Sequence, residues 1–245
     1  MTAHKNDALI PPQATDSDKA LEALKAISGP VAGLVDVLWT TPLQKRHGDW
    51  RNAVFSALRD HESELANLAD RLDNVQSIFI QATLEAMKTH IAEKREALRN
   101  AVLNTAIGTD LDDSEQSLLI RYIGELTPLH LLLLKYLSCN QKEYGKEKSY
   151  ANLKGLYQKH MIQKQGYAEC DVPEHIFKLL CMDLDSRGLA RFSSSLEDFG
   201  GISNPSPLGT VSYNQDSETI AITPLGHDFL RYISAPPDAA YAEPS

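Results

Sequence analysis

The chain has 245 residues, 42% of them hydrophobic, and carries a formal net charge of -9. That length suits one large domain or two small ones, and the apolar fraction is sufficient for a buried core. The acidic balance argues against binding of nucleic acid or anionic membranes by the chain as a whole, unless basic residues are segregated on one surface.

The N-terminal sequence predicts a disordered segment and then two short helices. Residues 1–15 are polar and contain two prolines, so we expect them to be disordered. They lack the apolar core of a signal peptide, and no run in the chain reaches the length of an apolar membrane span. Three cysteines match no zinc or redox motif, which predicts reduced thiols. Together these features predict a cytoplasmic protein.

A helical pattern returns between Leu43 and Arg71, and its apolar residues share one face. Pro42 ends the preceding helix or begins this one, and Gly48 is a candidate kink. The residues predicted to lie on the shared face are Trp50, Val54, Ala57, Leu58, Leu65, Leu68 and Leu72.

The longest helical pattern in the chain runs from Asp73 to Ile107 without proline or glycine. It predicts one unbroken helix of about 50 Å, with a capping box at Asp73 and Gln76 and a stop at Gly108. Two apolar stripes require neighbours on two sides, so we expect this helix to be the centre of a bundle. The first stripe is Val75, Phe79, Ala82 and Ala86; the second is Ile80, Leu84, Met87, Ile91, Leu98 and Val102.

A second capping box, Asp113 with Gln116, predicts another helix after this one. The pattern as a whole predicts an N-terminal helical bundle over residues 16–126.

The C-terminal part predicts three helices, two short strands and a closing helix. Thr-Pro pairs at 127–128 and 223–224 begin the first and last helices, because threonine caps and proline fits the first turn. The third helix ends at Gly188. Strands are predicted at Leu189–Phe192 and Thr219–Ile222. The fold class is therefore mainly α, with a winged helix-turn-helix-like domain over 127–233 and a disordered tail over 234–245.

The chain resembles a loose family of uncharacterised bacterial proteins with an N-terminal helical bundle and a C-terminal winged-helix-like domain. The segments that carry the resemblance are PLQKRHGDW at 42–50, EALRNAVLN at 96–104, ELTPLHLLLLKYL at 125–137, LDSRGLA at 184–190 and ITPLGHDFLRYI at 222–233. The C-terminal part also looks like winged-helix regulators in general. The resemblance implies a bacterial origin and this architecture, and it implies no chemistry.

No pattern in the chain predicts catalysis, a cofactor or a metal. His90 and Glu93 form H-x-x-E without a second histidine at ligand spacing. Asp183 and Asp185 are two residues apart and so point to different sides of a helix. Residues 145–149 resemble a phosphate-binding loop but lack its first glycine and its preceding strand. We therefore expect a protein that is not an enzyme.

Two regions carry residue types that suit binding. A lysine-rich stretch between Lys135 and Lys164 could contact phosphates, although the predicted third helix and the loop between the strands are acidic. The candidate nucleic-acid contacts are Lys142, Lys146, Lys148, Lys154, Lys159, His175 and Lys178. The apolar segment 30–46 could pack in the bundle, contact a partner or lie at a membrane interface. Its candidate contacts are Val31, Leu34, Leu38, Trp39, Lys45 and Arg46.

These features favour a non-catalytic bacterial interaction or scaffold protein that forms a homo-oligomer and binds protein partners. One alternative is a winged-helix DNA-binding transcriptional regulator that uses the lysines and the third helix. Another is a membrane-directed stress or phage-defence effector that uses residues 30–46.

Overall fold

The computed structural model describes residues 22, 41–65, 68–139, 153–159, 172–192 and 220–236. The prediction of a mainly α protein is confirmed, since these residues form eight helices and one short antiparallel ribbon. The N-terminal helices are α1 Thr41–Asp60, α2 Leu72–Lys88, α3 Ala92–Ile107 and α4 Asp113–Glu125. The C-terminal elements are α5 Pro128–Cys139, α6 at 153–159, α7 Glu174–Ser186, β1 Ala190–Arg191, β2 Ala221–Ile222 and α8 Pro224–Ile233. Short 3₁₀ turns at Glu62–Glu64 and Ala69–Arg71 connect α1 to α2.

The prediction of one unbroken helix over 73–107 is wrong. The helix ends at Lys88, and Thr89 and Ile91 have extended backbone, with ψ of 140° and 121°, before α3 begins. The Thr89 hydroxyl accepts a hydrogen bond from the Ile91 amide at 3.1 Å and so stabilises the break locally. The two halves pack against each other, which gives each helix an apolar neighbour within the same segment.

The two halves run antiparallel, as the contacts of Gln116 on α4 demonstrate. Its side-chain oxygen accepts hydrogen bonds from Asn74 at the start of α2, at 3.4 Å, and from Thr105 at the end of α3, at 2.9 Å. The start of one helix and the end of the other therefore lie together. At the opposite end of the hairpin, Lys94 Nζ donates to the carbonyl oxygen of Gly124 at 2.5 Å.

The first predicted stripe, Val75, Phe79, Ala82 and Ala86, is buried, and the predicted face of α1 is buried at Trp50 and Val54 among others. The second stripe is only partly correct, because Leu84 is 46% exposed while Met87, Leu98 and Val102 are buried. Leu84 and Met87 lie on the same helix, so the buried side of α2 includes Met87 and leaves out Leu84. Trp50 also donates from Nε1 to the Thr83 hydroxyl at 3.0 Å, which ties α1 to α2.

Both predicted capping boxes in the N-terminal part are wrong. Helix α2 begins at Leu72, and no side chain caps it. The box before α4 lies one residue earlier than predicted: the Asp112 amide donates to Glu115 Oε2 at 2.9 Å, and the Glu115 amide donates to Asp112 Oδ1 at 2.8 Å. The predicted stop at Gly108 is confirmed, because this glycine has a φ of 121°, which side-chain-bearing residues rarely adopt.

Residues 125–235 form a compact unit separate from residues 1–124 and 236–245. Its core contains an aromatic row in which Tyr157 lies between Tyr136 and Phe177, at ring-centroid distances of 5.7 and 5.8 Å. A short strand lies within each predicted segment, at Ala190–Arg191 and Ala221–Ile222, and Ala190 pairs with Ile222. The Thr223 hydroxyl accepts from the Gly226 amide at 3.0 Å, which confirms the predicted cap of the last helix.

The third helix of this unit ends as predicted, because Gly188 has a φ of 69°. Among the described residues, no single helix has the length and apolarity needed to cross a membrane; only α4 and α5, counted together as a bent pair, meet that test.

Candidate interaction surface

Helix α7 has one side in the core of the C-terminal unit and one side open to solvent. The core side consists of Phe177, Leu180, Cys181 and Leu184, which are all buried. Their spacing of three, one and three residues is that of a single helical stripe. Burial among these side chains raises the pKa of the Cys181 thiol, so the sulfur stays protonated and apolar.

The opposite side of α7 exposes large apolar side chains. Leu179 is 57% exposed and Met182 is 43% exposed. With His175 and Ser186, both exposed, they follow a spacing of four, three and four residues, which places all four on one line of the helix. We call these four residues the outer face of α7. A shallow concavity of about 460 Å³ includes Leu179, Met182 and Ser186 together with Ile176, Leu180, Asp183 and His130.

Charged side chains border the outer face on both sides. Along one border, Lys178 Nζ lies 3.4 Å from Glu174 Oε1, and Asp185 Oδ1 accepts from the Phe192 amide at 3.1 Å. Asp183 lies on the other border. Three carboxylates, Glu174, Asp183 and Asp185, thus face two cations, Lys178 and the Arg187 that pairs with Asp183, so the surroundings of the apolar line carry a small net negative charge.

One border of the concavity is built by a buried histidine and its partners. His130 Nε2 lies 3.2 Å from Asp183 Oδ2, and Asp183 Oδ1 accepts from Arg187 Nε at 3.1 Å. Arg187 Nη1 also donates to Glu125 at 2.5 Å. Partial burial opposes the charge of Arg187, but hydrogen bonds to Glu125 and Asp183 outweigh it and raise the pKa of the guanidinium. The network holds the start of α5 against α7.

A threonine hydroxyl, a histidine ring and an aspartate carboxylate that contact one another in space could suggest a nucleophile, its general base and the acid that orients the base. The Thr127 hydroxyl is indeed 2.9 Å from His130 Nδ1. However, the Thr127 amide donates to the same nitrogen at 3.1 Å, so Nδ1 is an acceptor and the ring hydrogen is on Nε2, facing Asp183. An Nδ1 atom that caps the start of α5 in this way is already satisfied. The arrangement orders the start of α5, because the histidine ring accepts from the amide three residues earlier.

The predicted nucleic-acid contacts are only partly covered by the structure. Lys142, Lys146 and Lys148 lie outside the described residues. Lys159 is exposed on α6 and Lys154 is half-buried there. On α7, His175 belongs to the outer face, and Lys178 is paired with Glu174.

The predicted partner or membrane contacts are also divided. Val31, Leu34, Leu38 and Trp39 lie outside the described residues, and Lys45 is exposed on α1. Arg46 has an internal role, because its Nη1 donates to the Met87 carbonyl oxygen at 3.1 Å near the end of α2. Its guanidinium therefore helps to hold α1 against α2.

The sequence patterns did not identify the outer face of α7 or the His130–Asp183 pair. The four-three-four spacing was a usable signal for the outer face, whereas a contact between residues far apart in sequence has no local signal.

In the part of the chain that the structure describes, no group of three or more histidine, cysteine or acidic side chains is arranged to hold a metal. Comparisons with protein-family models, curated proteins and solved structures found no match to the chain.

Proposed function

We propose that the protein is a non-catalytic interaction protein that associates with itself through the outer face of α7. The N-terminal helices serve as a helical-bundle scaffold, and the C-terminal unit is a winged-helix-like protein-binding module. The order of three helices, a two-stranded ribbon and a closing helix supports this reading of the C-terminal unit. In that architecture α7 occupies the position of the helix that most often meets a ligand.

The exposure of Leu179 and Met182 is the observation that carries the proposal. Completing the burial of either side chain stabilises a complex by about 1 kcal/mol, since full burial is worth roughly twice that. Two copies that bury both residues gain about 4 kcal/mol, which offsets only the lower bound of the entropic cost of association. The residues that flank the outer face must therefore contribute as well, and we expect a weak, concentration-dependent complex.

The charges around the outer face favour a protein partner over duplex DNA. Glu174, Asp183 and Asp185 would each lie close to phosphates if α7 entered a groove, and like charges repel. Arg187, the cation next to Asp183, is already paired with two carboxylates, which leaves Lys178 as the lysine that faces these three acidic side chains.

Sedimentation velocity over a series from micromolar to sub-millimolar protein tests the proposal. We expect the wild type to shift from monomer to a larger species and Leu179→Glu to remain monomeric. Leu84→Glu is the matched control, because Leu84 is also an exposed leucine but lies on α2 in the other unit. A wild type that stays monomeric, or equal effects of the two variants, would refute the proposal. Salt-sensitive binding of fluorescent duplex DNA by the wild type would instead support the regulator alternative.

A further inference from the structure

The outer face of α7 has the residue spacing of a two-helix contact. His175, Leu179, Met182 and Ser186 repeat at four, three and four residues, as the seam positions of paired helices do. The core-side residues Phe177 and Leu184 lie diametrically opposite this seam, so a partner helix could approach without displacing them. The residues that flank the seam most closely are Lys178 and Asp185 on one border and Ile176 and Asp183 on the other, and Glu174 lies on the first border farther from the seam.

We infer that the outer face of α7 pairs with the same face of a second copy, with the two helices antiparallel about a two-fold axis. This inference depends on the self-association proposed above and specifies which surface the second copy contributes. Leu179 of each copy then lies opposite Met182 of the other, and the exposed apolar line of both copies is covered by identical residues. A contact of this kind is self-complementary, so it closes at a dimer.

The charges on the flanks favour the antiparallel orientation. When two helices pair antiparallel, the same border of each helix faces its counterpart, because the two-fold axis exchanges them. Lys178 of one copy therefore lies close to Asp185 of the other, and symmetry creates this pair twice. Opposite charges at flanking positions select both partner and orientation in paired helices.

A parallel pair is less favourable because it uses Asp183 in place of Asp185. Parallel helices bring opposite borders together, which places Lys178 of one copy near Asp183 of the other. Asp183 already contacts His130 and Arg187 within its own unit. The exposed Asp185 side chain, by contrast, accepts a hydrogen bond from the Phe192 amide and keeps a second carboxylate oxygen. The exposed Glu174–Lys178 pair is a weak competitor, because surface pairs four residues apart contribute little.

Charge reversal at the two flanking positions tests the orientation. We expect Lys178→Glu and Asp185→Lys each to weaken dimerisation by about tenfold, since each places like charges together twice. The double variant restores opposite charges in the antiparallel pair, and we expect its dimerisation constant to return to within about threefold of the wild type. Sedimentation equilibrium on the full chain measures all four proteins, with far-ultraviolet circular dichroism as the check that each is folded.

Asp185→Asn separates the charge from the local hydrogen bond, because the amide oxygen can still accept from the Phe192 amide. We expect it to weaken the dimer less than Asp185→Lys does. A double variant no stronger than the single ones, or a wild type that forms an open series of species beyond the dimer, overturns the antiparallel pairing. If Leu179→Glu loses association but the double charge-reversal variant does not regain it, the proposed self-association stands and only the antiparallel arrangement is refuted. A wild type that never associates overturns both.

Discussion

Gly226 in α8 offers a test of how closely the ribbon and the last helix are packed. A Cβ atom at this position would lie 2.7 Å from Ile222 Cγ1 and closer still to the carbonyl oxygen of Leu189. That oxygen also accepts a hydrogen bond from the Thr223 amide at 3.2 Å, while the Thr223 hydroxyl donates mainly to the neighbouring Gly188 carbonyl oxygen at 2.5 Å, so moving this stretch of backbone would disturb both contacts. Gly226→Ala therefore forces the start of α8 away from the chain leaving α7.

The expected magnitude combines two opposing effects. Alanine in place of glycine inside a helix ordinarily stabilises by about 0.5–1 kcal/mol. Overpacking costs about 1–3 kcal/mol, and displacing the helix start also weakens the Thr223 cap, which is worth about 1 kcal/mol. We expect Gly226→Ala to lower the free energy of unfolding by about 2 kcal/mol.

Urea unfolding followed by circular dichroism measures this change, with Gly48→Ala as the matched control. Gly48 lies inside α1, and a Cβ there would meet no atom within 4 Å. We expect this variant to be more stable than the wild type by about 0.5–1 kcal/mol. Because the chain has two compact units, hydrogen exchange at the ribbon should locate the loss in the C-terminal unit. A Gly226→Ala protein as stable as the wild type would show that the close approach is incorrect.

Two further predictions follow from buried titratable groups. Desolvation lowers the pKa of Lys94 below its ordinary value of 10.5 despite the nearby Glu85, so the unfolded chain binds more protons than the folded one as pH rises toward that value. The free energy of unfolding of the wild type relative to Lys94→Met should therefore increase between neutral pH and about 10.5, as measured by parallel urea titrations. A difference that stays constant or falls would contradict the burial of the ammonium group. For the thiols, Cys139 is exposed whereas Cys181 is buried with a raised pKa, so mass spectrometry after iodoacetamide treatment should find Cys139 labelled in native protein and Cys181 labelled only after unfolding; equal native labelling would refute it.

The starts and ends of helices could be predicted wherever the signal is local. Thr-Pro-Leu occurs at 127–129 and 223–225, and a helix begins at each of these places as predicted. Gly108 and Gly188 end helices because their positive φ values suit glycine alone. Each of these signals acts within one turn of the chain, so no tertiary information is needed to read it.

The break between α2 and α3 could not be predicted in this way, because it depends on contacts made across the hairpin. Residues 73–107 contain strong helix formers throughout, and Thr89 is a weak breaker by propensity. The gain from packing two helical halves against each other exceeds the cost of interrupting a few backbone hydrogen bonds. Helix propensity alone cannot register that gain.

The displaced capping box before α4 has a similar origin. Asp112 with Glu115 and Asp113 with Gln116 both have the spacing of a capping box. The structure uses the first pair because Gln116 is 3% exposed and occupied with Thr105, Asn74 and the Leu111 carbonyl oxygen, which accepts from its Nε2 at 2.9 Å. A buried amide needs partners for both its oxygen and its nitrogen, and these three contacts provide them. The Gln116 side chain therefore does not cap the helix.

The outer face of α7 was not predicted, because two apolar stripes were recognised only along residues 73–107. Two apolar stripes around residues 73–107 led to the prediction of neighbours on two sides, and most of those side chains are buried in the hairpin and its companions. Helix α7 also has a core stripe and a second line that contains Leu179 and Met182, yet its second line remains exposed. By the same physical reasoning this helix needs another neighbour. In the dimer proposed above, a second copy of α7 provides that neighbour and places Lys178 of one copy close to Asp185 of the other.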